Sequence, residues 1–363
     1  MNRRQFVISL SSAPLLAQTP PAPSPELEWT DAKKLTVEGL GFRDVKAPYD
    51  RLPGRAETVV PPAVWNLSRQ SAGVVVRFVA GTTAVHARWK LSGKALSGAN
   101  STAVASSGLD LYARNDSGRW RWVGIGTPRE LTENTGAVAT GLASAPREFM
   151  LYLPMGNTVT SLEIGIPKGG TIAPGPARAA GLKPILFYGT SITHGYSASR
   201  AGMTHVAMLG RTFDREVINL GFSGNGRMEP EVVRFVAELD PAVFVLDCLP
   251  NMIASQVAER AVPGVKMIRE AHPQTPILLV EDRNFANSAW VQSRREAHEA
   301  NHAALREAFA ALQAAQVPNV HYLRADDLLG QDGEGTIDGS HPTDLGFTRQ
   351  AAEFERVLRP LLK

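Results

Sequence analysis

Two rhythms of apolar and polar positions divide the chain. Over about residues 27–175 the apolar residues come in short runs, at 73–79, 84–90, 109–113, 119–123, 149–153 and 161–166. Several of these runs alternate apolar with polar, as half-buried antiparallel strands do. Asn115-Asp116-Ser117-Gly118 lies between two of them and is a hairpin turn signal. No long stretch with a 3.6-residue period interrupts this part. Short strands separated by Gly, Ser and Asn turns predict an all-β sandwich of jelly-roll type. The polar, Gly- and Pro-rich stretch from Lys168 to Pro176 marks the boundary of the module.

From Pro184 the rhythm changes. Near-continuous apolar runs at 184–188, 217–220, 242–246, 277–280 and 320–323 alternate with helical patterns at about 203–213, 229–239, 254–271, 289–315 and 344–361. Strands buried on both faces read as unbroken apolar runs. Their alternation with helices predicts a flavodoxin-like, five-stranded parallel sheet with helices on both sides. The predicted organisation is therefore 1–26 as an export signal and Pro-rich spacer, 27–175 as the β-sandwich module and 176–363 as the α/β domain.

The first segment is an address. Arg3-Arg4 is followed by Gln5-Phe6, a modest apolar stretch to Ala17, and then Thr19-Pro20-Pro21-Ala22-Pro23-Ser24-Pro25. A charged start, a short apolar middle and a small-residue end describe an export signal. Twelve apolar residues are too few to span a bilayer. The pattern resembles bacterial twin-arginine signals, which implies a periplasmic or secreted protein with no membrane span in its mature form.

Composition changes this picture little. The 363 residues are 44% hydrophobic and 20% charged with a net charge of +3, an ordinary globular balance. No clustered basic stripe points to nucleic acid. A single cysteine, Cys248, excludes an intrachain disulfide and a cysteine-based zinc site.

The candidate chemistry sits at four strand ends of the α/β domain, where open α/β sheets place their ligands. After the first strand comes Gly189-Thr190-Ser191-Ile192. After the second comes Gly221-Phe222-Ser223-Gly224-Asn225-Gly226, whose glycines allow positive φ and free backbone N–H groups. The order of these glycines does not fit a dinucleotide fingerprint. After the third comes Leu249-Pro250-Asn251-Met252, where the Asn251 amide is a donor. In the last loop, Asp338-Gly339-Ser340-His341-Pro342 places a carboxylate three residues before an imidazole, and Thr343 is a candidate cap for the final helix. Acyl transfer needs a serine, a base, an acceptor that orients the base, and preorganised donors for an oxyanion. Ser191, His341 and Asp338 match the first three needs. The N–H groups of Ser191 and Gly224 and the Asn251 side chain match the last. No G-x-S-x-G elbow surrounds Ser191, which disfavours a standard α/β-hydrolase.

These blocks, in this order, resemble the SGNH (GDSL-type) hydrolase superfamily, whose Ser, Gly, Asn and His correspond to Ser191, Gly224, Asn251 and His341, with Asp338 as the triad acid. Gly108-Leu109-Asp110-Leu111-Tyr112 resembles the sandwich that precedes one bacterial branch of these enzymes, and Ala198-Ser199-Arg200-Ala201-Gly202-Met203 is similar to that branch too. Two blocks depart from the family pattern: Thr190 stands in place of an aspartate, and the third block lacks its glycine and its aspartate. The resemblance implies a carboxylic-ester hydrolase with an acyl-enzyme mechanism and no cofactor. The expected substrate is an acetylated sugar or polysaccharide. The alternatives are a lipase or general short-chain acyl esterase and, in another class, a non-catalytic glycan-binding protein.

Other expectations concern single residues. His194, three past the serine, and Arg200, in the loop beyond, are weak candidates for substrate contact. His298 and His302 lie at i, i+4, where a solvated helix face is preferred to a metal site and no metal is expected. Trp120 and Trp122 share a strand face, with core packing preferred to sugar stacking.

Overall fold

The computed structural model describes residues 25–362. The expected export signal lies outside them, as does the Pro-rich spacer except for residues 25 and 26. All six strands expected in the first half form, and four more join them. One antiparallel sheet runs β1 (Leu27–Asp31), β9 (Val159–Pro167), β4 (Ala84–Leu91) and β7 (Glu133–Thr140). The second runs β10 (Thr171–Pro174), β3 (Val75–Gly81), β8 (Arg147–Tyr152), β5 (Leu109–Arg114), which follows the short helix α2 (Ala103–Ser107), and β6 (Trp120–Gly126), with β2 (Thr36–Glu38) also paired to β3. The hairpin β5–β6 turns at Asn115–Gly118, where Gly118 has φ +75 and donates to the Asn115 carbonyl at 2.9 Å. Val76, Phe78, Val85, Trp89, Leu111, Leu151 and Ile164 fill the space between the sheets. The strands that the pattern missed have little apolar content: β7 reads Glu-Asn-Thr-Gly-Ala-Val-Ala-Thr.

The second half is a parallel sheet in the order β12 (Val217–Gly221), β11 (Ile185–Gly189), β13 (Val243–Asp247), β14 (Ile277–Val280) and β15 (Val320–Leu323). One face packs against α5 (Pro230–Ala237), α6 (Ala254–Ala271) and α7 (Gln292–Ala314) through Val233, Val257, Ile268 and Leu305. The other packs against α4 (His205–Thr212) and α8 (Asp344–Leu361) through Val206, Leu209, Phe354 and Leu358. Each of these five helices lies within a few residues of its expected position. Thr343 does occupy the cap position of α8, but its side chain makes no capping bond.

Packing does not respect the boundary in sequence. Residues 41–70 leave the sandwich and lie against the parallel sheet. There α1 (Pro62–Ser68), opened by its proline, buries Val64 and Trp65 with Phe42, Leu52 and Val60 in the same core as Ile218, Leu220 and Phe235. Arg51, 1% exposed, ties this segment to the strand ends. Its guanidinium donates to the carbonyls of Gln70 (2.7 Å) and Leu67 (2.7 Å) on one side and of Asn219 (3.0 Å) and Gly221 (2.7 Å) on the other.

Candidate active site

Ser191 opens the four-residue helix α3 (Ser191–His194) directly after β11, with Thr190 at its N-cap accepting from the Ile192 N–H at 3.3 Å. Ser191 is 6% exposed. Its Oγ lies 2.8 Å from His341 Nε2, and His341 Nδ1 lies 2.7 Å from Asp338 Oδ2. A carboxylate only accepts, so Nδ1 carries the proton, Nε2 is the acceptor in the neutral ring, and the serine hydroxyl donates to it. The final loop is tightly closed: Ile337 N–H donates to the His341 carbonyl (3.0 Å) and Thr343 N–H to the Gly335 carbonyl (2.9 Å). Burial pushes the Asp338 carboxyl up, but its bonds from His341 N–H (2.8 Å), His341 Nδ1 and Ser340 N–H (3.0 Å) outweigh that and hold its pKa below the usual range.

The glycine turn after β12 lies against the first residues of this site. Gly189 pairs in register with Gly221 on one side and Asp247 on the other, and Phe222 N–H donates to the Gly189 carbonyl at 2.9 Å. The three glycines of the turn are not equivalent. A Cβ on Gly221 would meet the His194 nitrogen at 2.2 Å, and one on Gly226 would meet the Gly189 carbonyl at 1.9 Å. A Cβ on Gly224 would meet nothing within 4 Å. Gly221 and Gly226 are thus required by packing, whereas Gly224, at φ +69, faces open space. The Asn251 amide donates one hydrogen to the Asn225 carbonyl at 2.7 Å, which links the third strand-end block to the second and leaves its other N–H without a partner among the described residues.

Several expectations are corrected. His194 is fully buried and cannot touch a substrate; its Nε2–H donates to the Met155 carbonyl of the sandwich at 2.7 Å. Burial, with the charge of Arg51, draws its pKa down to about 3, so the ring is neutral. Arg200 is engaged rather than free. It pairs with Asp110 Oδ2 at 2.8 Å, bonds the Tyr112 hydroxyl, and lies over the Tyr112 and Trp122 rings, each 5.3 Å away. Asp110 also accepts from Gly202 N–H (2.8 Å) and from the Trp122 indole (3.0 Å), so the Asp and Tyr of the Gly108–Tyr112 motif hold the two domains together. The shared strand face splits: Trp120 is packed away at 8% exposure, while Trp122 is 51% exposed, and both line an interdomain groove of about 980 Å³. His298 and His302 are not on a solvated face. Both are 5% exposed; His298 stacks on Phe285, and His302 Nε2–H donates to the Asp282 carbonyl at 2.7 Å. The loop after β14 covers this part of α7.

Sequence reasoning overlooked a buried support under the nucleophile. Thr193 Oγ1 donates to Asp247 Oδ2 at 2.9 Å. Asp247 is paired with Arg283, whose guanidinium also donates to Gln350 Oε1 on α8 at 2.7 and 3.1 Å. Neither charge is more than 2% exposed, so each needs the other. The signal was present as Asp247 and Arg283, charged residues closing or following apolar strands.

The family profile of GDSL-like lipases/acylhydrolases matches residues 182–359, and the profile of the GxDLY N-terminal domain of SGNH hydrolase-type esterases matches residues 27–172. Among solved structures, a Bacteroides ovatus protein classed as a GDSL-like lipase is 33% identical, with 93% of this chain and 98% of that one covered and a TM-score of 0.88. The salicylyl-acyltransferase SsfX3 of a tetracycline biosynthetic pathway is 19% identical (92% and 97% covered, TM-score 0.72). A family two carbohydrate esterase from Cellvibrio japonicus is 14% identical (93% and 99% covered, TM-score 0.59), and these last two show a shared fold. No curated protein matches the chain. Both halves of the chain, the profile matches and the likeness to the Bacteroides protein agree: the chain belongs to the SGNH/GDSL-type hydrolase family, in the branch with a GxDLY β-module ahead of the hydrolase domain.

Proposed function

We propose that the protein is an exported serine esterase that removes acetyl groups from a carbohydrate. The observation that carries the reading is the relay from Ser191 Oγ through His341 to Asp338, with its 2.8 and 2.7 Å contacts. His341 Nε2 takes the hydroxyl proton as Oγ attacks the ester carbonyl. The oxyanion is received by the N–H groups of Ser191 and Gly224 and by the remaining N–H of Asn251. His341 returns the proton to the departing alcohol, leaving an acetyl-enzyme. Water, activated by the same imidazole, then releases acetate. Asp338 stays anionic through the cycle and orients the ring. The carbohydrate reading rests on the export signal and the sandwich module, and the twin-arginine pattern favours a periplasmic or secreted location. Among the described residues no helix is long and apolar enough to cross a membrane.

The test is acetate release from acetylated xylan, mannan, pectin and simple acetyl sugars by the parent and by Ser191→Ala. The variant is expected to lose at least about 10⁴-fold in kcat. A variant that keeps the parent rate removes the triad assignment. A parent that binds these glycans without turnover replaces the enzyme reading with a binding protein.

A further inference from the structure

The loops around Ser191 carry a disproportionate share of the exposed apolar surface. Seven large hydrophobic residues are exposed among those described, and four of them, Ile253, Trp290, Ile337 and Leu345, stand on segments that follow the carboxyl ends of β13, β14 and β15. Ile253 is two residues past Asn251, Ile337 adjoins Asp338, and Leu345 is four past His341. Trp290 is the most exposed of all at 88%. Isolated exposed leucines or isoleucines are ordinary, but apolar residues gathered on the loops at the site's end of the sheet point to a binding surface.

Trp290 is exposed on a loop that is itself tied down. Its N–H donates to the Asn287 carbonyl at 3.0 Å, and Val291 N–H to the same carbonyl at 2.9 Å. Ala286 N–H donates to the Gly339 carbonyl at 2.9 Å. Arg294 reaches the Asp338 carbonyl at 3.0 Å and Asn287 Oδ1 at 3.2 Å. The loop is therefore bonded to the same residues that hold His341 in place. An aromatic ring presented on a fixed loop loses little freedom when it binds.

The strand order gives this ring a side. The glycine turn, proposed to receive the oxyanion, follows β12 and lies on one side of Ser191. The loops after β14 and β15, with Trp290 and His341, lie on the other. In acyl transfer the imidazole hands its proton to the departing alcohol, so the alcohol half of the ester leaves on the His341 side. We propose that Trp290 is the platform on which a ring-bearing alcohol stacks. In the reading above, on which this one rests, that ring is the apolar face of a pyranose. Trp290 sets preference for the alcohol and leaves preference for the acyl group unchanged.

The experiment compares kcat and KM for the parent, Trp290→Ala and Trp290→Phe on ethyl acetate, benzyl acetate, ethyl butyrate and an acetylated xylo-oligosaccharide. A single aromatic contact is worth about a three- to tenfold change in binding. Trp290→Ala is expected to raise KM by that factor for benzyl acetate and the acetylated oligosaccharide. Ethyl acetate, and the ratio of ethyl acetate to ethyl butyrate, should stay within twofold of the parent. Trp290→Phe should restore most of the loss. Equal losses on ethyl and benzyl acetate, or a changed acetate-to-butyrate ratio, would overturn the assignment. So would a rate on emulsified triacylglycerol that jumps above the solubility limit and disappears in Trp290→Ala, which would make the rim a lipid-contacting surface. A parent that shows the benzyl-over-ethyl preference but releases nothing from acetylated sugars retires the sugar reading and leaves the platform standing.

Discussion

Replacing Arg51 by methionine tests whether the β-module helps to build the catalytic end of the parallel sheet. The side chain keeps its apolar stem in this change and loses four hydrogen bonds, two within the 41–70 segment and two to the end of β12. Bonds from a charged donor are worth about 1.5–3 kcal/mol each, a gross loss of about 6–12 kcal/mol. Part of this is returned, because the guanidinium is fully desolvated; its burial is deep enough to draw its pKa down to about 9. Four buried carbonyls lose their donor, as when one partner of a buried charged pair is removed, so the net cost should be about 3–5 kcal/mol. Urea unfolding followed by tryptophan fluorescence should show the midpoint falling by about 1 M or more at unchanged slope. Activity should be lost at the same or lower urea, because one of the bonds grips Gly221, three residues before Gly224. Arg51→Lys keeps the charge, but a single ammonium lacks the planar fork and should fall between parent and Arg51→Met. A midpoint within about 0.2 M of the parent, with kcat within twofold, would refute the idea that this residue couples the domains.

Two further predictions use other parts of the site. Gly226→Ala places a Cβ against the Gly189 carbonyl at positive φ, so acetyl-ester turnover should fall by more than about 100-fold. Gly224→Ala, in open space, should cost only the backbone strain of about 1–2 kcal/mol and less than about tenfold in turnover; the reverse order would refute the packing reading of this turn. Burial pushes the pKa of Asp282 up to about 7 against the opposing charge of Arg283. A carboxyl whose folded-state pKa is raised contributes stability that is complete below its unfolded value and lost as pH rises towards 7. Asp282→Asn, which stays neutral, should therefore gain on the parent between pH 5 and pH 8 by at least about 1 kcal/mol, read as melting temperature at the two pH values. An equal difference at both would show that Asp282 does not titrate in this window.

The hydrolase half was readable because both kinds of its information are local. Continuous apolar runs mark strands buried on both faces, and catalytic residues of an open sheet fall just after those strands. Ser191, Gly224, Asn251 and His341 could each be placed by that rule, and the structure brings Ser191, His341 and Asp338 into hydrogen-bond contact. The packing of His194 and Arg200 against the sandwich was not legible, because sequence nearness to Ser191 says nothing about which side chains of a short helix and its following loop meet the neighbouring domain. The pairing of Asp247 with Arg283 and Gln350 joins residues from β13, the loop after β14 and α8, and no periodicity reveals such a contact. Residues 41–70 were read with the sandwich for the same reason. Their apolar residues are spaced for burial, but the surface that buries them is made much later in the chain.

That delay has a consequence for how the protein comes into being. Arg51 leaves the ribosome 168 residues before Asn219, the nearer of its two distant partners. At about 5–20 residues per second the wait is on the order of 10–30 s. Through that interval Phe42, Leu52 and Trp65 have no parallel sheet to cover them, and they are buried only once Ile218, Leu220 and Phe235 have been made. Loop closure over such a span makes this contact a late and slow event in folding. Exposed aromatic surface is held open for about half of synthesis, a state vulnerable to premature capture or aggregation. A chain built this way gains from finishing its fold before it is moved, which is what a route that carries folded cargo would provide.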